Sequence, residues 1–122
     1  MEYQGAAEDG SPVILDAKAH KGPGPMDALL LAVAGCMAVD VQVILERSRV
    51  PLKGMEVQVE GTRAPTHPKR YTGISIRFLL TGPEKEDEGK VQRAIDLSRE
   101  KFCSVVHSLS PDIPVEIQFG RT

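Results

Sequence analysis

Aromatic side chains are scarce in this sequence. Its 122 residues include two Tyr, three Phe and no Trp, so the apolar interior has to be assembled from Val, Leu, Ile, Ala and Met. An excess of charge of either sign is also lacking. Lys and Arg number 15 against 17 Asp and Glu, a formal net charge of −2, which removes the electrostatic footprint of a nucleic-acid or anionic-membrane binder. Long apolar runs are absent: the longest, counting glycine, spans residues 28–39, short of the roughly 20 residues that a bilayer crossing needs. The opening MEYQGAAEDG has neither the basic nor the apolar region of a secretion signal, so a cytoplasmic location is expected. Cysteine is nearly missing, with only Cys36 and Cys103. In a reducing compartment two such residues are free thiols or a redox pair sooner than a structural staple.

Several motifs are missing too. Cys36, Cys103, His20, His67 and His107 stand in no CxxC or HxxxH spacing, so no metal site is expected from local pattern. The stretch GPGP at 22–25 is not a phosphate-binding loop, and no serine sits in a nucleophile elbow. What remains is the composition of a soluble globular domain spanning 1–122. A chain this short buries a modest share of its surface, which leaves apolar area for a second copy to cover.

The pattern of what is present orders the chain as β-β-α-β-β-α-β. Asp9-Gly10 is a turn dipeptide, with strands expected over 1–7 and 12–19. In the second of these, Val13, Leu15 and Ala17 alternate with Ile14, Asp16 and Lys18 as a half-buried pattern. KGPGP at 21–25 breaks the chain, and Pro25 suits the first position of a helix over about 26–47. That helix is apolar on every side from residue 28 to 39, the mark of a buried central helix. Strands follow from strict alternation: Met55, Val57 and Val59; Ile74, Ile76, Phe78 and Leu80; Val115, Ile117 and Phe119. Val91, Ala94, Ile95 and Leu97 mark a second amphipathic helix. Strands that come in hairpin-like pairs imply a mainly antiparallel sheet with helices packed on it, an α+β fold.

The chemistry-bearing residues lie around the two cysteines. Cys36 falls near the middle of the apolar helix, LLLAVAGCMAVDV, among Ala32, Ala34, Gly35 and Ala38. It is either a buried small hydrophobe or a thiol that a ligand can approach over a slim helix surface. Asp40, four residues on, lies on the same face; a bare carboxylate opposes thiolate formation, so Asp40 does not activate Cys36 by itself. Cys103, in REKFCSVVHSL, is either inside the second helix or at a break near Phe102 with a new helix from Ser104. In the second arrangement His107 is one turn on from Cys103.

These two stretches, GPMDALLLAVAGC and EKFCSVVHSL, in this order of elements, resemble the OsmC/Ohr family, and AVDVQVIL after the first cysteine resembles its YhfA-type branch. The resemblance covers nearly the whole chain. It implies an OsmC-like fold in an intertwined homodimer with sites at the subunit interface, and a thiol-dependent peroxidase that reduces organic hydroperoxides in oxidative or osmotic stress. Cys36 would be the peroxidatic thiol and Cys103 the resolving one, reset by an external thiol reductant without metal, flavin or haem. Leu29, Val33 and Phe102 would line an apolar pocket. The family's activating arginine, on the strand before the helix, has no counterpart, since no Arg precedes Arg47. Its glutamate partner is missing too: Met26 follows Pro25, and Asp27 lies nine positions before Cys36, which at about 100° per residue is the opposite side of the helix. Lys18, His20, Lys21, Arg63, Arg70 and Arg77 are the candidate replacements for the cation. Asp27, Asp40, Lys21 and His107 are the expected supporting residues. The alternative on the same fold is a non-catalytic protein that binds a small hydrophobic ligand at the dimer interface.

Overall fold

The chain's breakers set its elements. A computed structural model describes residues Met1–Thr122: strands β1 (Glu2–Gly5) and β2 (Val13–Asp16), helix α1 (Pro25–Arg47), strands β3 (Gly54–Arg63) and β4 (Tyr71–Thr81), helix α2 (Glu88–Leu97), a π turn (Ser98–Phe102), the short helix α3 (Ser104–His107) and strand β5 (Val115–Arg121). Gly24, with extended backbone, precedes Pro25 at the first helical position, where a missing N–H costs nothing. At the other end the Val50 N–H donates to the Leu45 carbonyl at 3.0 Å and the Arg49 N–H to that of Glu46 at 3.1 Å. Arg49 takes φ 60°, so α1 ends in a Schellman motif whose apolar contact is made by the buried Val50 and Leu45.

β3, β4 and β5 form one sheet in that order, and β1 pairs with β2 alone. β1–β2 and β3–β4 are antiparallel, as expected from hairpin-like pairs, but β5 runs parallel to β4. The reason lies in the connection: between β4 and β5 the chain crosses over through α2 and α3, and a helical crossover returns a strand in the same direction. The alternating patterns of β3, β4 and β5 read as the sequence implied, with Ile74, Ile76, Phe78 and Leu80 all buried. Leu30, Val33, Met37, Val41 and Leu45 of α1 join them, and so do Val91, Ala94 and Ile95 of α2, in one core.

Two expectations need correction. The alternation in the second strand does not describe burial: Val13 and Ile14 are exposed, whereas Asp16 is buried. The Asp16 carboxylate accepts the backbone N–H groups of Lys18 at 2.9 Å, His20 at 3.2 Å and Lys21 at 3.1 Å, so it organises the turn after β2 and ends that strand sooner than expected. Secondly, α1 is not buried all round. Leu31, Val39 and Val43 are 56%, 63% and 38% exposed, so the helix packs on one side only and offers an apolar strip on the other. By length and composition alone α1 would also pass as a membrane span, although its uninterrupted apolar run is short; in this fold its opposite face is the core.

Tyr71 ties the start of α1 to the sheet. Its ring is buried and its hydroxyl donates to the Met26 carbonyl at 2.6 Å. Gly61 lies beneath it: a Cβ there would stand 2.4 Å from Tyr71 Cε1 and 3.1 Å from Leu30 Cδ2.

Gly61→Ala is predicted to destabilise the chain by about 1–3 kcal/mol, the usual cost of overpacking a held ring, measured by urea unfolding. The hydrogen bonds from Lys18 and Lys21 hold Asp16 below the ordinary carboxylate value of 3.8. A lowered pKa means stability that is present above the ordinary value and lost as pH falls below it. Asp16→Asn is therefore predicted to lower thermal stability at neutral pH, with the difference from the unsubstituted chain shrinking in acid.

Candidate dithiol site

The site is built where α1 meets the broken second helix. α2 carries Val91, Ala94 and Ile95 into the core on a helical period, and Ser98 continues that period onto the buried face. There the chain widens into the π turn, in which the Cys103 N–H reaches back to the Ser98 carbonyl at 2.8 Å. Cys103 itself leaves helical geometry, with φ −72° and ψ 102°, and α3 starts at Ser104. Of the two arrangements open to the sequence, the break is the one adopted. π turns inserted in this way recur at functional sites because they re-aim the side chains on either side.

The break turns Cys103 toward α1. One ligand atom each from Cys36, Asp40 and Cys103 (two sulfurs and a carboxylate oxygen) lies within 4.8 Å of the others. Cys36 is half-buried and Cys103 is 0% exposed; both are free thiols. The Ser98 hydroxyl, fully buried, donates to Asp40 Oδ2 at 2.9 Å. The Val106 N–H donates to Cys103 Sγ at 3.4 Å. Burial, aided by the adjoining Cys36, pushes the Cys103 thiol up from 9.0 to about 11 against the opposing Val106 N–H, so at neutral pH Cys103 is protonated. Cys36 alone of the two meets solvent.

The other expected residues are elsewhere. Lys21 forms a surface ion pair with Glu2 at 3.4 Å. Asp27 is exposed in a cleft of about 590 Å³ that it shares with Arg63, Tyr71 and Gly61 and that contains neither cysteine. His107 is exposed on a second cleft with Arg99 and Ser110; only its backbone N–H meets Cys103, at the carbonyl. Lys18 and His20 lend backbone N–H groups to Asp16, Arg63 donates to the Lys69 carbonyl, Arg70 pairs with Asp112 at 2.9 Å, and Arg77 lies on an all-polar cleft of the sheet. No lysine or arginine forms an ion pair with Asp40. Of the expected pocket lining, Val33 is in the core and Phe102 is exposed. Phe102 instead borders a cleft of about 270 Å³ with Asp40, Val43, Ile44 and Arg47, so Arg47 is the cation on the cleft next to the thiols. Neither Arg47 nor Ser98 was singled out by sequence reasoning, although the period Val91, Ala94, Ile95, Ser98 was signal enough for the serine.

Two outcomes follow from this geometry. Iodoacetamide at pH 8 is expected to modify one cysteine per native chain, Cys36, and two after denaturation, as counted by mass spectrometry. Ser98→Ala, which strips the part-buried Asp40 carboxylate of its donor, is expected to cost about 1–3 kcal/mol of stability in urea unfolding.

The same arrangement of elements occurs in known proteins. The chain is 34% identical over 116 residues to Protein YhfA of Escherichia coli K12, covering 94% of this chain and 86% of that protein. Among solved structures, a hypothetical protein from Aquifex aeolicus VF5 superposes with a TM-score of 0.77 at 26% identity, covering 100% of this chain and 95% of that one. An organic hydroperoxide resistance protein OsmC from Legionella pneumophila superposes with a TM-score of 0.64 at 12% identity, covering 98% and 95%, a likeness of fold. The family profile described as OsmC-like protein matches residues 18–118, and with the order of elements and both cysteine stretches in place, the chain belongs to the OsmC-like protein family.

Proposed function

We propose that this protein is a cysteine-based, thiol-dependent peroxidase that reduces organic hydroperoxides. The observation that carries the reading is the convergence of Cys36 and Cys103, from opposite halves of the chain, to sulfurs within 4.8 Å of each other. A disulfide needs about 2.0 Å between sulfurs, a gap that side-chain rotation and a small shift at the π turn close.

The difference in exposure supports an order of events. Cys36, the thiol that meets solvent, attacks the distal oxygen of the hydroperoxide as thiolate. The O–O bond breaks, the alkoxide takes up the proton that the Cys36 thiol released on ionising and leaves as the alcohol, and Cys36 becomes a sulfenic acid. Cys103 then attacks that sulfur; its proton passes by way of Asp40, which lies in reach of both sulfurs, to the departing hydroxide, which leaves as water. Two electrons have moved from the thiol pair to the peroxide. An external dithiol restores the pair by exchange, and no metal, flavin or haem takes part. The apolar wall of Val43, Ile44 and Phe102 beside Asp40 suits the organic part of a hydroperoxide. Solved relatives named organic hydroperoxide resistance proteins support that substrate class.

The working form is a cytoplasmic homodimer that engages neither nucleic acid nor membrane. Its support is the apolar strip of Leu31, Val39 and Val43 on α1 together with the exposed Tyr3, Val13 and Ile14 of the first hairpin. One observation favours a second reading, a carrier of a small hydrophobic ligand: no arginine or lysine forms an ion pair with Asp40, and the activating arginine of peroxidase members has no counterpart before Arg47.

With dithiothreitol as reductant and cumene hydroperoxide as substrate, Cys36→Ser is expected to reduce peroxide consumption to the rate of the reductant alone. Cys103→Ser is expected to consume one equivalent and leave a sulfenic acid that dimedone traps. Full turnover by Cys36→Ser, or none by the unsubstituted protein, overturns the peroxidase and favours the carrier. Val39→Asp is expected to shift the sedimentation coefficient from dimer to monomer.

A further inference from the structure

The chain's local spacing argues against a metal site, but local spacing cannot register a set assembled from two helices and a turn. Cys36, Asp40 and Cys103 form such a set, with ligand atoms within 4.8 Å of one another. We infer that the reduced dithiol, with the Asp40 carboxylate, is a binding site for a thiophilic divalent cation of the zinc class, held by three protein ligands with a fourth position left to an outside ligand.

The distances fit a tetrahedral site. Zinc bonds of about 2.3 Å to sulfur and about 2.1 Å to oxygen, arranged tetrahedrally, place two sulfurs about 3.8 Å apart and sulfur and oxygen about 3.6 Å apart. The three ligand atoms, all within 4.8 Å of one another, therefore need at most about 1 Å of contraction to reach this geometry. Two thiolates and a carboxylate select a soft or borderline cation over magnesium or calcium, which prefer oxygen alone.

The surroundings are those of ligands already oriented. Buried Ser98 donates to Asp40 Oδ2 at 2.9 Å, leaving lone pairs on both carboxylate oxygens. The Val106 N–H points at Cys103 Sγ from 3.4 Å, a contact that stabilises sulfur carrying negative charge. Such partners fix ligand geometry and are typically worth 10–100-fold in metal affinity. The charge also matches. The set carries up to three negative charges when its thiols ionise, and no lysine or arginine is paired with its carboxylate; a divalent cation supplies the missing positive charge and displaces the two thiol protons. Bound metal and disulfide exclude each other, because both use the same two sulfurs. The site does not depend on the peroxidase reading: a carrier on this fold would hold the same ligands.

The test is anaerobic titration of the reduced, chelator-treated full-length protein with Co²⁺, followed by displacement with Zn²⁺ against a chromophoric chelator. Expected is a near-ultraviolet thiolate-to-cobalt charge-transfer band with the visible bands of four-coordinate cobalt, saturating at one ion per chain and abolished by Zn²⁺. Cys36→Ser, and the unsubstituted protein alkylated at Cys36, should lose most of the charge-transfer intensity. Asp40→Asn should weaken Zn²⁺ at least tenfold, and Ser98→Ala should weaken it 10–100-fold while leaving the two-thiolate band. No charge-transfer band with excess Co²⁺, a band that survives alkylation of Cys36, or unchanged Zn²⁺ affinity in Asp40→Asn overturns the inference. Peroxide consumption measured separately with chelator present tells the two readings apart, because it reports the metal-free dithiol.

Discussion

The packing of one side of α1 against the sheet and the broken second helix is the constraint on which the rest of this protein depends. Leu30, Val33, Met37, Val41 and Leu45 anchor that side in the core, and this fixes the rotation of the helix about its axis. Once the rotation is fixed, Cys36 and Asp40, one turn apart, fall on the boundary strip between core and solvent. That strip faces the segment where α2 gives way to the π turn. Each ligand atom of the site is therefore placed by burial of aliphatic side chains that take no part in its chemistry.

The polar groups at this boundary are few and all satisfied. Ser98 is fully buried because it lies on the core-facing period of α2, and burial without a partner would be costly; Asp40 is the partner. Cys103, turned toward α1 by the break after the π turn, is buried too and stays a neutral thiol, while Cys36 meets solvent. The difference in exposure leaves only one of two chemically identical side chains open to solvent. No basic side chain is paired to Asp40, so the proposed peroxide, soft cation or second copy would each meet an acidic cluster from outside the chain.

Kinship by fold reaches much further than likeness of sequence. The chain superposes on proteins with which it shares only 7–13% of residues, because the arrangement needs only alternating strands, an apolar helix opened by proline and a crossover. Such a scaffold hosts more than one activity. What distinguishes this chain is the local set of Cys36, Asp40, Ser98 and Cys103, with Arg47 on the neighbouring cleft and no arginine before it.

The sequence by itself determined what depends on neighbours along the chain. The strands β3, β4 and β5 were legible in strict alternation, the start of α1 in Gly24-Pro25, the face shared by Cys36 and Asp40 in their spacing, and the family in two cysteine stretches. Tertiary structure alone decided the rest, since each of those outcomes turns on contacts between distant residues. The burial of Asp16 follows from the turn that folds back over it, and the parallel entry of β5 from the path of the crossover. The open side of α1 follows from there being a sheet on only one of its faces. The meeting of Cys36 with Cys103 follows from a π turn whose extra residue re-aims one side chain, a local change of geometry that leaves no mark in hydrophobic periodicity.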